Sequence, residues 1–174
     1  MKVAFIGTHG TGKTTLVHKL ISALKEQSYD ADFRGEMTNK CPFPINEGTT
    51  EDAQNWLFHA LALEEMTLKS KCDILVCDRS LLDNYVYSYN AFGEDKTKEA
   101  FVEDYMKSYD LLFRVPLSNG KLTENKIRSV DINWQREIEG SFNHLIKKLN
   151  IPIQEYESLN RVIDLVKIYK KKNG

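Results

Sequence analysis

The residues best suited to chemistry lie near the start of the chain, in Gly7-Thr8-His9-Gly10-Thr11-Gly12-Lys13-Thr14-Thr15. The spacing Gly7-x-x-x-x-Gly12-Lys13-Thr14 is that of a phosphate-binding loop, or P-loop. Glycines let successive backbone N–H groups turn into one hollow, and the positive end of a following helix adds to the field there. Lys13 is placed to reach β- and γ-phosphates, the Thr14 hydroxyl to ligate Mg²⁺, and Thr15 to contact an α-phosphate. The chemistry this implies is the handling of a nucleoside triphosphate, with ATP and Mg²⁺ as the expected cofactors.

Carboxylates and cations recur further along. In "CDRS", Asp78 and Arg79 follow an apolar run. Asp78 suits a metal-bound water or a proton from an attacking hydroxyl, and Arg79 suits phosphate charge. Asp83 lies five residues beyond Asp78, near a helix start, where capping and substrate contact are equal options. Glu36 follows another short strand pattern, where a carboxylate can serve as general base toward an acceptor hydroxyl. The loop "CPFPINEGTT" comes next and can fold over an acceptor, with Asn46 and Thr50 as polar candidates and Phe43 as an aromatic face. Gln54 is a candidate for contact with a base edge, and Trp56 reads as core. Late in the chain, a polar segment carries Arg128 and Arg136. Such a segment can close as a lid over about 117–137, bring arginines to charge developing on a moving phosphoryl group, and exclude water. Asp131 is placed to hold one of those arginines.

The elements that must position these residues follow from periodicity. Short apolar strands are expected at Lys2–Ile6, Ala31–Arg34, Asp73–Cys77, Asp110–Val115 and Ile153–Tyr156. Helices are expected at Thr14–Gln27, from a Thr50 cap to about Lys71, after "CDRS", at Phe101–Ser108, Trp134–Leu149 and Ser158–Lys171. Strands that are continuously apolar and alternate with helices indicate a parallel sheet covered on both faces. The expected fold is α/β: a three-layer P-loop NTPase fold, with a doubly wound parallel sheet of about five strands, helices on both faces and an arginine-bearing lid. Its site belongs at the carboxyl ends of the strands. The length favours one domain, 1–174.

Composition narrows the function classes. With 24 Lys+Arg against 25 Asp+Glu the formal net charge is -1, which argues against broad nonspecific nucleic-acid binding. The clusters Lys147-Lys148 and Lys170-Lys171-Lys172 read as solvated helix surface. An odd count of scattered cysteines (Cys41, Cys72, Cys77) suits reduced thiols and a cytoplasmic setting, without zinc. "MKVAFIG" is too short and too quickly polar for a signal peptide, and no apolar run is long enough to predict a membrane span.

"GTHGTGKTTL", Glu36, "CDRSLLDNYVY" and "IRSVDINWQREIEG" after "YDLLFRVP" occur in that order. Their order and character resemble the small P-loop kinases and ATP-binding proteins related to the ribosylnicotinamide kinase domain and to nucleoside and nucleotide kinases. The resemblance covers nearly the whole chain, and its late arginine segment is the more specific part. It implies lid roles for Arg128 and Arg136, an acid–arginine pair at Asp78 and Arg79, and a weaker nucleotide contact for Arg161 in "Asn160-Arg161-Val162". Relatives often read Glu-x-x-Arg where this chain has Glu36-Met37-Thr38-Asn39, which removes one clamp for a charged acceptor. The resembling group includes phage enzymes that phosphorylate a hydroxymethyl group on pyrimidines in DNA.

Three functions fit these residues: γ-phosphoryl transfer from ATP to a hydroxyl of a nucleoside or nucleotide-like acceptor, the same transfer to a modified base in DNA, and a nucleotide-dependent regulatory NTPase.

Overall fold

The computed structural model describes residues 1–117 and 131–173. Five strands, β1 (Lys2–Ile6), β2 (Ala31–Arg34), β3 (Ile74–Asp78), β4 (Leu111–Arg114) and β5 (Gln154–Glu155), form one sheet in the order β2-β3-β1-β4-β5. Every pairing is parallel. Six helices cover it among the described residues: α1 (Lys13–Glu26), α2 (Glu51–Lys69), α3 (Leu81–Phe92), α4 (Lys96–Met106), α5 (Ile132–Lys148) and α6 (Leu159–Asn173).

The alternation of side chains along β1 divides the core. Val3 and Phe5 pack with Val17, Leu20 and Leu24 of α1 and Val162 and Val166 of α6. Ala4 and Ile6 pack on the other face with residues of α2, α3, α4 and α5, including Leu57, Leu82, Val102 and Phe142. Both faces are buried, which is why the strands read as unbroken apolar runs rather than alternating ones. β1 lies between β3 and β4, so its chain end opens at the point where connections leave to opposite faces, the usual ligand crevice of such sheets.

Several element boundaries move from their sequence-based positions, and caps explain them. Helix α4 starts at Lys96, not Phe101, because the Asp95 carboxylate accepts from the N–H groups of Thr97 and Lys98 at 3.0 and 3.1 Å. Helix α5 starts at Ile132 because Asp131 accepts from Asn133 and Trp134. Thr50 caps α2 as expected, accepting from the Ala53 N–H at 3.2 Å. Asp78, expected just beyond β3, is its last residue and pairs in register with Phe5. The proline-bearing loop contains two short 3-10 turns, Met37–Lys40 and Asn46–Gly48.

One polar network runs through the core. Glu65 of α2 is fully buried. It accepts from Lys2 Nζ at 2.9 Å, Arg34 Nη2 at 3.2 Å, and the Tyr105 and Tyr109 hydroxyls at 3.1 and 2.8 Å. The Lys2 ammonium also lies over both tyrosine rings, 4.3 and 3.9 Å from their centroids. Burial, with the Glu65 charge added to it, pushes the Cys77 thiol well up and keeps it protonated. The network joins β1, β2, α2 and α4, and removal of Glu65 would leave two buried cations without their counter-charge. Glu65→Ala is therefore expected to lower the unfolding free energy by about 3–5 kcal/mol in urea denaturation.

Candidate active site

The loop Gly7–Gly12 leaves β1 and enters α1 at the carboxyl edge of the sheet. Gly7 has φ +137, and a Cβ there would meet the Val115 carbonyl oxygen at 2.9 Å, so only glycine fits beside the end of β4. Gly12 caps α1 in the left-handed conformation, φ +85, which turns the chain into the helix. The Lys13 ammonium reaches back over the loop to the Thr8 carbonyl and to Thr11 Oγ1. Burial, helped by the nearby Arg79 charge, lowers its pKa to about 7.

Asp78 and Arg79 do not form a pair with each other. Arg79 adopts φ +74, rare for a non-glycine residue, and its side chain leaves in another direction. The Asp78 carboxylate faces the P-loop and accepts from Thr14 Oγ1 at 2.6 Å. Arg79 Nε donates to Glu36 Oε1 at 2.9 Å. Two groups hold the backbone in this turn: the Arg79 N–H donates to the Phe5 carbonyl, and buried Arg34 donates from Nη2 to the Arg79 carbonyl at 2.6 Å. Arg34 Nη1 also donates to the Gly35 carbonyl at 2.8 Å, directly before Glu36. Arg34, which the sequence reading left as an ordinary strand residue, is thus the support of the Glu36–Arg79 pair.

Asp83 has a structural role. Its Oδ1 accepts from the Gly7 N–H at 3.0 Å, and its Oδ2 accepts from the Ser80 N–H and hydroxyl at 2.7 and 2.8 Å. It caps α3 and ties the first P-loop glycine to the end of β3. Burial raises its pKa against the pull of Arg79 and Lys13, yet both of its oxygens are engaged.

A cavity opens beside these groups. Its polar lining includes His9, Glu36, Arg79, Asp83, Gln54 and Asn84. Met37, Ile45, Leu57 and Leu61 supply an apolar wall. Gln54 is held by Thr49 Oγ1, which accepts from its Nε2 at 2.8 Å, and by Asn84 Nδ2, which donates to its Oε1 at 3.1 Å. Asn46 lines the cavity, as the sequence reading expected of it. Phe43 does not line it and is 39% exposed; the aromatic side chain that does is Tyr87. Tyr87 and Asn84 went unrecognised in the sequence because they sit inside an ordinary helix pattern, and His9 was read only as part of the phosphate loop.

The remaining candidates lie elsewhere. Arg136 is exposed on α5 and does not line this cavity. Arg161 is exposed in the first turn of α6, beyond β5. Arg128 and most of the expected lid fall within 118–130, outside the described residues. Asp131, expected to hold a lid arginine, caps α5. Arg114, not singled out in the sequence, is buried at the end of β4, where it pairs with Glu139 of α5 at 2.5 Å and lies over the Phe142 ring.

A family model described as an AAA domain matches residues 2–160. The chain belongs to that family. A comparison with curated proteins finds no match. Among solved structures, deoxyadenosine kinase from M. mycoides with bound dATP superimposes with a TM-score of 0.65 at 18% identity, covering 100% of both chains. The same enzyme with products dCMP and a flexible dCDP gives 0.63 at 14% identity, again over 100% of both chains. Likeness at that identity is a likeness of fold, and the fold is that of a small P-loop kinase. No helix among the described residues is long and apolar enough to cross a membrane.

The Glu36–Arg79 pair has a measurable consequence. The Arg79 guanidinium, aided by Lys13 and opposed by burial, lowers the Glu36 carboxyl to about 2. A carboxyl lowered on folding stabilises the fold above its unfolded pKa, and this contribution is lost as pH falls through the folded value. The stability gap between wild type and Glu36→Gln is therefore expected to narrow on going from pH 6 to pH 3 in urea denaturation. An unchanged gap would remove Arg79 as the partner that sets the Glu36 charge.

Proposed function

We propose that the protein is an ATP-dependent phosphotransferase that moves the γ-phosphoryl group of ATP to a hydroxyl of a nucleoside or nucleotide-like acceptor. The observation that carries this reading is the Glu36–Arg79 pair, which lines a cavity beside the P-loop together with the amides of Gln54 and Asn84. A switch or simple NTPase needs the phosphate loop but has no use for a second site of this composition. The match in fold to a deoxyadenosine kinase supports the same reading.

The division of duties follows from which oxygens are already engaged. Asp83 is committed to Gly7 and Ser80 and is left to structure. Asp78 and Thr14 present a carboxylate and a hydroxyl 2.6 Å apart beside the phosphate loop, a donor set that fits Mg²⁺ completed by phosphate oxygens and water. When bound, Mg²⁺ neutralises charge on the phosphates. Glu36 then faces the acceptor. A carboxylate of pKa about 2 is a weak base, so its part is to orient the hydroxyl and receive its proton late, as the new P–O bond forms and ADP leaves. A loose transition state asks for no more, because the nucleophile is hardly deprotonated before bond formation. Arg79 keeps Glu36 ionised and adds positive charge near the transferred group. Lys13 holds the β- and γ-phosphates, with the loop from Gly7 to Thr14 around them; the Gly7 and His9 N–H groups are held by Asp83 and Tyr87. Thr15 would contact the α-phosphate. Arg128 and Arg136 complete the proposal as lid arginines, and Arg161 as a contact for the adenine end. The Gln54–Asn84 pair offers donors and acceptors for the edge of a base. The formal net charge of -1 favours a free small acceptor over a base in DNA.

The test is transfer of label from γ-labelled ATP with Mg²⁺ to a panel of nucleosides, nucleotides and hydroxymethylated DNA. Label is expected on a small-molecule acceptor and lost on chelation of the metal. Label appearing only as free phosphate overturns the reading in favour of an NTPase. In the same assay Glu36→Gln is expected to lower kcat about 10²–10⁴-fold, with the KM for ATP nearly unchanged. Thr14→Ala is expected to raise the Mg²⁺ concentration needed for half-maximal rate, while ATP analogues still bind.

A further inference from the structure

The third residue of the P-loop is turned away from the phosphate hollow. His9 is 5% exposed, and its ring lines the acceptor cavity. The ring stacks on Trp134 of α5, with centroids 4.9 Å apart and an interplanar angle of 29°. The backbone on either side of it is also fixed: the His9 N–H donates to the Tyr87 hydroxyl oxygen at 3.2 Å, and the His9 carbonyl accepts from Gln135 Nε2 at 2.8 Å. Three elements, α3, α5 and the loop itself, therefore hold one imidazole in one orientation.

The hydrogen bonds assign its tautomer. The Tyr87 oxygen accepts from the His9 backbone N–H and lies 3.1 Å from His9 Nδ1. The phenol proton has no acceptor other than Nδ1 among the described residues, which places the imidazole proton on Nε2. Burial, together with the charges of Arg79 and Lys13, lowers the His9 pKa to about 4, so the ring is neutral near pH 7. Nε2 is buried and has no hydrogen-bond partner among the described residues. A buried N–H left unpaired is costly, so the group calls for an acceptor atom. The charged side chains that act on the ring are Arg79, Lys13, Glu47 and Glu36, and of these Arg79 and Glu36 line the same cavity. A neutral donor there suits an uncharged oxygen close to the reacting hydroxyl, such as a sugar hydroxyl, better than a phosphate.

We propose that the Nε2–H of His9 donates to a sugar-like hydroxyl of the acceptor, so that this P-loop residue determines acceptor specificity rather than nucleotide affinity. The inference rests on the phosphotransferase reading above and deepens it.

Two variants test it. His9→Phe keeps the stack on Trp134 and deletes both nitrogens; His9→Gln restores a side-chain N–H. The probes are deoxynucleosides, ribonucleosides and dideoxynucleosides, with ATP as donor. The wild type is expected to discriminate by about 10-fold or more in kcat/KM against an acceptor that lacks the contacted hydroxyl. His9→Phe is expected to lose that discrimination through acceptor KM, leave the KM for ATP within about twofold, and be partly rescued in His9→Gln. Thermal stabilisation by an ATP analogue shows that each variant is folded. Discrimination retained in His9→Phe, or a rise in ATP KM alone, overturns the inference while the kinase reading stands. A second readout is independent of turnover: in ¹⁵N-histidine-labelled protein, the resonance lost in His9→Phe is expected to show a protonated Nε2 and to move on addition of a deoxynucleoside but not of an ATP analogue. If the wild type transfers no label and that resonance still moves with nucleoside, the site assignment holds and the kinase reading falls. If neither occurs, both fall.

Discussion

Asp83 is the contact on which the geometry of the site depends. The loop at the end of β1 has to present backbone N–H groups to an anion, and such a loop has few internal bonds to hold its shape. Asp83 supplies an external one. One oxygen holds the Gly7 N–H and the other holds Ser80, so the phosphate loop and the turn after β3 are located by one buried carboxylate. The parallel register between Phe5 and Asp78 brings those two strand ends side by side. The hydroxyl of Thr14 then meets the Asp78 carboxylate without any adjustment in the loop.

A second constraint comes from behind the sheet. Glu65 neutralises Arg34, and Arg34 also donates to the carbonyls of Gly35 and Arg79. Those carbonyls bracket the two residues that form the Glu36–Arg79 pair. The left-handed turn at Arg79, a conformation that costs a non-glycine residue about 1–2 kcal/mol, is stabilised by this arrangement. It lets adjacent residues serve different partners, with Asp78 toward Thr14 of the P-loop and Arg79 toward Glu36. The buried ion network is weak evidence for stability as such; its contribution is to fix the turn from which the Arg79 side chain leaves.

Much of this was legible along the chain. The strand ends at Ile6 and Arg34, the end of β3 to within one residue, and the loop between Gly7 and Gly12 come from local rules: apolar runs, glycine at turns, a lysine and threonine opening a helix. The placement of Glu36 near the site also follows, since strand ends in a doubly wound sheet share one crevice. Boundaries moved where a cap overrode periodicity, at Asp95 and Asp131. Pairings were not legible, because adjacency in sequence says little about direction. The adjacency of Asp78 and Arg79 gave no sign that one bonds Thr14 and the other Glu36. Asp83 had capping and substrate contact as equal options, and the structure shows the capping, with three donors on its two oxygens.

The sequence by itself determined the fold class and the kind of ligand at the P-loop, because glycine spacing and the strand–helix alternation are local properties with local physical causes. The tertiary structure decided what each charge does. His9 reads as one more loop residue until α3 and α5 pack around it and aim its ring into the cavity. Arg34 reads as a strand residue until Glu65 arrives from α2, 31 positions away. Contacts of that separation depend on how helices cross the sheet, and no short pattern in the chain encodes that.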